Sequence, residues 1–267
     1  MMSNQLVAMA AATLSLAAGL ASDPVDIDAD AAARGNVTAG DAPGFPVTIS
    51  QPGRYRLRSD LLVPPHADGI VITAPDVTLD LNGHRVHGPV RCTHSAVIRA
   101  VACNGRVDSM PRAGIHAAAA SRSVIRNGSV SGFAGVGIHH GDSTLIENVE
   151  VSGNAGAGIV GARADASADA PKSAPAVLLR QVLVQYNGGA GFVCDRANVE
   201  RSSFADNGGN GVECQGGEFA DSVSRGNGGY GVADGFKPGL RTINNRMGAV
   251  ARDGGVRMEA SRTDTQR

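Results

Sequence analysis

The sequence predicts an all-β protein, a parallel β-solenoid of about six or seven coils with three short strands in each coil. The first observation is a repeat: Asn-Gly-Gly-x-Gly followed by an apolar residue begins at Asn187, Asn207 and Asn227, twenty residues apart each time. A fixed period of this length is typical of stacked repeats. The second is composition, because 36 Gly, no Trp and 3% aromatic residues suit a narrow aliphatic core better than an ordinary layered one.

The third observation is that the apolar residues fall into three columns when the chain is laid out coil by coil. The first column holds Ile70, Ile115, Ile138, Ile159, Phe192, Val212 and Val232. The second holds Leu81, Ile125, Ile146, Leu179, Val199 and Phe219, and the third holds Val86, Val130, Val151, Val184 and Phe204, with Val223 one residue out of phase. Neighbouring positions should alternate inward and outward, with like residues stacked about 4.8 Å apart.

Two corners of the coil are predicted from polar residues that recur with the columns. Asn154, Asn187, Asn207 and Asn227 recur at one corner, where their side-chain amides should stack into a ladder. A second corner carries Asn127, Asn148, Gln181, Arg201 and Asp221. The outward column beside the second strand reads Arg126, Glu147, Arg180, Glu200 and Ala220, which predicts ion pairs between successive coils.

The entry segment "TISQPGRYRLRSDLLVPPHADGIVITAPDVTLDLNGHRVHG", with "VTLDLNGH" its most recognisable part, resembles the capping turn and first coil of bacterial β-helix-repeat proteins. Over roughly residues 45–246 the chain is similar to the pectate-lyase-like superfamily. The resemblance implies a single-stranded right-handed parallel β-helix. Because that superfamily contains lyases, hydrolases, epimerases, adhesins and proteins of unknown role, function has to be argued from a site.

The ends of the chain differ in composition from the repeat region. An apolar run from Leu6 to Ala21 predicts a signal peptide over residues 1–21, and therefore a secreted or periplasmic protein; an Ala-rich disordered leader is the alternative. Residues 22–44 are expected to be a flexible acidic spacer, residues 45–250 the β-helix domain, and residues 251–267 a disordered tail. No later segment has the length of a membrane span.

Two insertions interrupt the period, at residues 89–113 and 161–175. The first lies between the third strand of one coil and the first strand of the next, and the second lies between a first and a second strand. Both are therefore expected to border the outward side of the first strand, from opposite sides. In the enzymes that this chain resembles, loops at such corners wall a groove that holds sugar polymers.

The candidate site residues lie on that side of the first strand. His116 and His139 should be about 5 Å apart on adjacent strands, where they could offer a catalytic base or a weak metal-binding pair; two exposed polar residues without a role are the alternative. Glu213 and Asp142 are candidate substrate-binding carboxylates, although Glu213 lies several coils from His139. His140 should point inward.

The sequence contains only some of the residues that known carbohydrate-active enzymes use for catalysis. A uronate lyase needs a base and a cation that neutralises the substrate carboxylate, but no Asp/Glu cluster for Ca²⁺ and no Arg or Lys is found along the expected groove floor. The paired Asp residues and Gly-His-Gly motif of the related hydrolases are also missing. No dinucleotide cofactor is expected, because "GAGIVG" belongs to the coil repeat, and no zinc site is expected, because "HRVH" at His84–His87 lacks partners at zinc spacing. The net charge of −1 gives no reason to expect nucleic acid as a partner.

Four cysteines in an exported chain favour disulfides. Cys92 and Cys103 share the first insertion and are predicted to be bonded to each other. Cys194 and Cys214 occupy the same inward position in successive coils, which is compatible with a disulfide or with two stacked buried thiols. Three functions remain open at this stage: a polysaccharide-binding protein, a uronate lyase or epimerase, and a structural or adhesive solenoid without a ligand.

Overall fold

The computed structural model describes residues 23–105, 112–161, 177–233 and 239–249. Over these residues the chain is a parallel β-solenoid of about eight turns with almost no helix. The all-β fold class is confirmed, with slightly more than the six or seven coils that were expected. The predicted signal peptide, the tail over residues 251–267 and nearly all of the insertion at 161–175 lie outside the described residues.

The elements follow one another as a cap, two coils, a hairpin and six further coils. The cap and first two coils contain β1 (Val25–Ile27), α1 (Ala29–Arg34), β2 (Val47–Ile49), β3 (Gly53–Leu57), β4 (Leu61–Leu62), β5 (Ile70–Ile72), β6 (Val77–Asp80) and β7 (Arg85–His87). The hairpin consists of β8 (Cys92–Ser95) and β9 (Ala100–Cys103).

The remaining coils begin at residue 115. They contain β10 (Ile115–His116), β11 (Val124–Ser131), β12 (Ile138–His140), β13 (Leu145–Ser152), β14 (Ile159–Gly161), β15 (Val177–Arg180), β16 (Leu183–Gln185), β17 (Phe192–Glu200), β18 (Ser203–Ala205), β19 (Val212–Ala220), β20 (Ser222–Arg225), β21 (Val232–Ala233) and β22 (Leu240–Ile243). Strands β11, β13, β17 and β19 are long because each runs through a corner and serves as two strands of its coil.

The first column is confirmed over its whole length. Each predicted member pairs in parallel register with the next, from Ile70 through Phe192 to Val232, and Val47 extends the column by one coil at the amino-terminal end. These side chains are at most 1% exposed. Successive coils therefore bury one another's apolar side chains, and no coil could do so alone.

The third column is confirmed, including the one-residue offset at Val223, and the second column is confirmed except at its first position. Leu79, and not Leu81, pairs with Ile125 in the second column, while Leu81 is buried at the corner just before Asn82. In the third column Phe204 pairs with Ser224, so that Val223 faces outward. The Ser224 hydroxyl donates to the carbonyl oxygen of Gly231 (2.7 Å), which compensates for its burial.

The segment before the first coil is ordered, so the expectation of a flexible spacer over residues 22–44 is wrong for its described part. Strand β1 pairs with β3, and helix α1 follows directly. Asp28 caps that helix, because its carboxylate accepts the backbone N–H of Ala31 (2.7 Å). Ile27 and Ala32 are buried in the core, so this segment closes the amino-terminal end of the solenoid.

The predicted asparagine ladder is confirmed and has one more member, Asn245. The series consists of Asn154, Asn187, Asn207, Asn227 and Asn245. From the second member onward, each side-chain oxygen accepts from both the backbone N–H and the side-chain amide of the asparagine one coil earlier, whereas the oxygen of Asn154 accepts the backbone N–H of Phe133 (3.0 Å). All five are at most 8% exposed. We call this edge of the solenoid the Asn corner.

The second predicted corner is also confirmed. Its five residues, Asn127, Asn148, Gln181, Arg201 and Asp221, all have φ between 46° and 58°. Asparagine tolerates this left-handed conformation better than most residues with a side chain. The corner therefore depends on backbone geometry, since the only hydrogen bond between its amides is a long one from Asn148 to Asn127 (3.4 Å).

The outward side of the second strand carries an alternating series of charges that we call the charge ladder. In register, one per coil, it consists of Asp26, Arg56, Asp80, Arg126, Glu147, Arg180 and Glu200. Its close ion pairs include Asp26–Arg56 (2.8 Å), Asp80–Arg126 (3.0 Å) and Arg180–Glu200 (3.1 Å). Since these groups are partly exposed, each pair stabilises the fold only modestly.

All four cysteines form disulfides, Cys92–Cys103 within the hairpin and Cys194–Cys214 between successive coils. The first pairing was predicted, and the second decides between the two alternatives that the sequence left open. Within the described residues, no helix combines the length and apolar character that crossing a bilayer requires.

Candidate functional site

The two histidines proposed as catalytic residues lie side by side on the surface of the solenoid. His116 in β10 and His139 in β12 are direct partners in the parallel ladder. Their ring centroids are 5.1 Å apart and the ring planes are tilted by 41°. The structure therefore confirms the predicted spacing of the pair, although this alone does not assign it a function.

The pair belongs to an outward column that we call the first-strand face. Its members, one per coil, are Thr48, Val71, His116, His139, Val160, Val193, Glu213 and Ala233. All of them are half-buried, and none is Arg or Lys. The column has no acidic residue before Glu213, whereas the second strand carries the charge ladder.

Small residues surround the two imidazoles along the chain. Gly114 and Ala118 are the residues two positions from His116, and Gly137 and Gly141 are the corresponding residues around His139. No larger side chain from these neighbouring positions covers the rings. Val71 and Val160 flank the pair on the adjacent coils. Among the described residues, the two half-buried imidazoles therefore have only small or uncharged side chains at these neighbouring positions.

The electrostatic environment favours the neutral form of His139. Partial burial lowers the pKa of His139 below its usual value, and the neighbouring His116 lowers it further because two adjacent positive charges would repel each other. A neutral imidazole can accept a proton or bind a metal ion through a ring nitrogen. His139 is therefore in the state that either chemistry requires at neutral pH.

His140 points into the solenoid, as its place in the alternation predicts. It is 6% exposed and lies above Gly161, where a Cβ would be only 2.7 Å from the ring. Its Nδ1–H donates to the carbonyl oxygen of Gly141 (2.9 Å), and Nε2 has no partner among the described groups. Burial lowers the pKa of His140 to about 4, so this ring is neutral and structural.

The two candidate carboxylates are not brought to the histidine pair. Glu213 lies on the first-strand face three coils beyond His139, or about 14 Å along the stack, and it accepts a hydrogen bond from the Asn210 amide (2.9 Å). Asp142 is exposed at the corner that follows β12. Neither can orient His116 or His139 directly, so their predicted role in substrate binding stays a prediction.

The first insertion folds back along the Asn corner, which borders the first-strand face on one side. The sulfur of Cys92 lies 3.2 Å from the carbonyl oxygen of Gly153, and the sulfur of Cys103 lies 3.9 Å from the carbonyl oxygen of Asn154. At the other end of the hairpin, the backbone of Arg99 packs closely against Gly228. A Cβ added to Gly228 would lie only 2.6 Å from the carbonyl oxygen of Arg99. The hairpin thus runs down the rod over several coils.

A polar cluster that the sequence did not indicate holds the hairpin against the solenoid. His94 contacts Tyr186 with ring centroids 5.3 Å apart and ring planes tilted by 42°, and its Nε2 lies 3.9 Å from the Asp206 carboxylate. Arg225 approaches the other oxygen of Asp206 (3.6 Å). The twenty-residue spacing of Tyr186 and Asp206 placed both at one corner, but nothing in the sequence showed which corner the hairpin would cover.

The described residues contain no group of three or more His, Cys, Asp or Glu side chains placed to hold a metal ion. Of the sites in the described residues, the histidine pair has the side chains best suited to acid–base or ligand-binding chemistry. It lies on the first-strand face, which lacks the alternating charges of the second strand. The chain matches no protein-family model, no curated protein and no solved structure, so its function rests on the chemistry of this surface.

Proposed function

We propose that the protein is an exported, polysaccharide-binding member of the pectate-lyase-like superfamily, and that it binds its ligand along the first-strand face. The observation that carries this proposal is the adjacent pair His116–His139 in a half-buried column that has no acidic residue before Glu213 and no Arg or Lys. Sugar rings present both apolar faces and hydroxyl groups. Imidazoles flanked by valines offer matching partners, namely flat apolar surface together with hydrogen-bonding nitrogens.

Two further features support the proposal. The hairpin β8–β9 raises one border of the first-strand face along the Asn corner, as a groove wall would. Both cysteine pairs are oxidised, which is typical of proteins in the periplasm or outside the cell, where polysaccharides are abundant. The proposed signal peptide over residues 1–21 would direct the chain to such a compartment.

The proposal predicts that histidine substitutions on the first-strand face weaken glycan binding. An array of cell-wall and extracellular polysaccharides should identify a ligand, and calorimetry should then measure its affinity. We expect His116→Ala and His139→Ala each to reduce that affinity about ten-fold, or about 1.4 kcal/mol, because each removes a central contact.

His87→Ala is the matched control, since His87 also faces outward but lies in the third-strand stack, where it contacts the Ser131 hydroxyl (2.9 Å). This variant should retain full affinity. If no polysaccharide on the array binds, or if His87→Ala weakens binding as much as the other two variants do, the proposed binding face is wrong. The first of these two results would favour a structural or adhesive role.

A uronate lyase or epimerase is the second candidate, because neutral His139 could remove the proton next to the substrate carboxylate. In a lyase the C–O bond then breaks and leaves an unsaturated sugar that absorbs ultraviolet light. We expect such an absorbance rise with one member of a panel of uronate polymers, and its loss in His139→Ala but not in His87→Ala. If absorbance stays flat and NMR shows no epimerised product on the whole panel, the protein binds without catalysis.

A further inference from the structure

We propose that His116 and His139 together bind one divalent transition-metal ion, with Cu²⁺ held most tightly and Ni²⁺ or Zn²⁺ less tightly, through one ring nitrogen of each imidazole. Imidazole is a good ligand for these three metals, and their order of affinity follows the general series for first-row divalent ions. This inference does not rest on the proposed function, because it involves no sugar.

The spacing of the two rings suits a shared ion. An ion that bridges two imidazoles lies about 2.0–2.1 Å from each nitrogen, so the nitrogens have to come within about 4 Å of each other. The ring centroids of His116 and His139 are 5.1 Å apart. Because the nitrogens lie on the rims of the rings, rotation of the side chains can bring one nitrogen of each ring within that limit without moving the backbone.

The nitrogens are also available for binding. Neither ring makes a hydrogen bond to another described group, whereas His140 is tied to Gly141 and His87 contacts Ser131. The ring nitrogens of His116 and His139 are therefore not engaged by other groups in the described part of the chain.

The surroundings leave room for the other ligands that such an ion needs. The glycines that flank His139 and the small residues that flank His116 place no bulky side chain beside the rings. The described residues supply no third His, Cys, Asp or Glu to the pair. Water or an anion would therefore complete the coordination, and an ion held by only two protein ligands should exchange readily.

The test is a Cu²⁺ titration of protein that carries no polyhistidine tag, followed by electron paramagnetic resonance. We expect one tightest equivalent whose spectrum shows nitrogen coordination. We expect His116→Gln and His139→Gln each to weaken it at least ten-fold, and the double variant to lose it. His87→Gln, which removes an outward histidine from a different face, should leave it unchanged. Binding should weaken on acidification, because metal binding requires unprotonated imidazole.

Two results would overturn the inference. One is a double variant that binds its first equivalent of Cu²⁺ as tightly as the unaltered protein does, since other groups would then hold the ion. The other is an unaltered protein whose tightest equivalent of Cu²⁺ shows no nitrogen coordination in its electron paramagnetic resonance spectrum. Circular dichroism of each variant checks that the fold is intact. Because the titration contains no polysaccharide, its failure would leave the proposal of glycan binding standing, and the reverse also holds.

Discussion

The Asn207→Ala variant is expected to have a free energy of unfolding lower by about 3–4 kcal/mol than the unaltered protein. Asn207 is 1% exposed, and its side-chain oxygen accepts from the backbone N–H (3.1 Å) and the amide (3.0 Å) of Asn187. Its own amide donates to the carbonyl oxygen of Val184 (3.1 Å) and to the side chain of Asn227 (3.1 Å). Alanine removes all four hydrogen bonds and leaves buried polar groups on neighbouring coils without partners.

Urea denaturation followed by circular dichroism measures this loss. Asn198→Ala is the matched control, since Asn198 is an exposed outward residue of β17, and its replacement should change stability by less than about 0.5 kcal/mol. Similar urea midpoints of unfolding for Asn207→Ala and Asn198→Ala would mean that the asparagine ladder does not hold the coils together. The fold would then depend on its apolar columns alone.

A second large effect is expected on acidification, and His140 should cause it. The folded pKa of His140 is about 4, against an ordinary value of 6.5, because the ring is buried. As the pH falls, the unfolded chain therefore takes up this proton first, and stability is lost between about pH 6.5 and pH 4. The difference between the two pKa values corresponds to about 3 kcal/mol of unfolding free energy, all of it lost once the pH is below 4.

Urea titrations at pH 7 and at pH 4 test this expectation in paired variants. His140→Gln cannot take up the proton, so the stability difference between the two pH values should shrink by about 3 kcal/mol relative to the unaltered protein. His84→Gln leaves the buried ring in place and should keep the larger difference. An equal acid-induced loss in His140→Gln and in the unaltered protein would assign the effect to the carboxylates instead.

Local sequence was sufficient to predict the first column and the Asn corner, because both are set by residues that recur with the coil. The second column failed at its start for a specific reason. A spacing of five residues back from Val86 selects Leu81, but the corner around Asn82 contains two additional residues, so Leu79 occupies the column. Apolar residues alternate at Val77, Leu79 and Leu81, and a period of two cannot distinguish among them.

The missed parts of the structure depend on contacts between distant residues. Asn245 follows Asn227 by 18 residues, not 20, which hid it as a member of the ladder. The hairpin reaches Gly153 across 61 residues of sequence, and no repeat specifies where an insertion folds. Of the candidate site, the sequence placed His116 beside His139 and turned His140 inward, but the 41° tilt between the two rings became evident only in three dimensions.

The charge ladder has a consequence for how the rod can change its length. If the coil that carries Glu147 were deleted, Arg126 would lie next to Arg180, and two positive charges would face each other. Deleting that coil together with the coil that carries Arg180 would instead place Arg126 beside Glu200, which preserves attraction. Along this stretch, gain or loss of coils should be tolerated better in even numbers than in odd ones, because an even number keeps opposite charges next to each other.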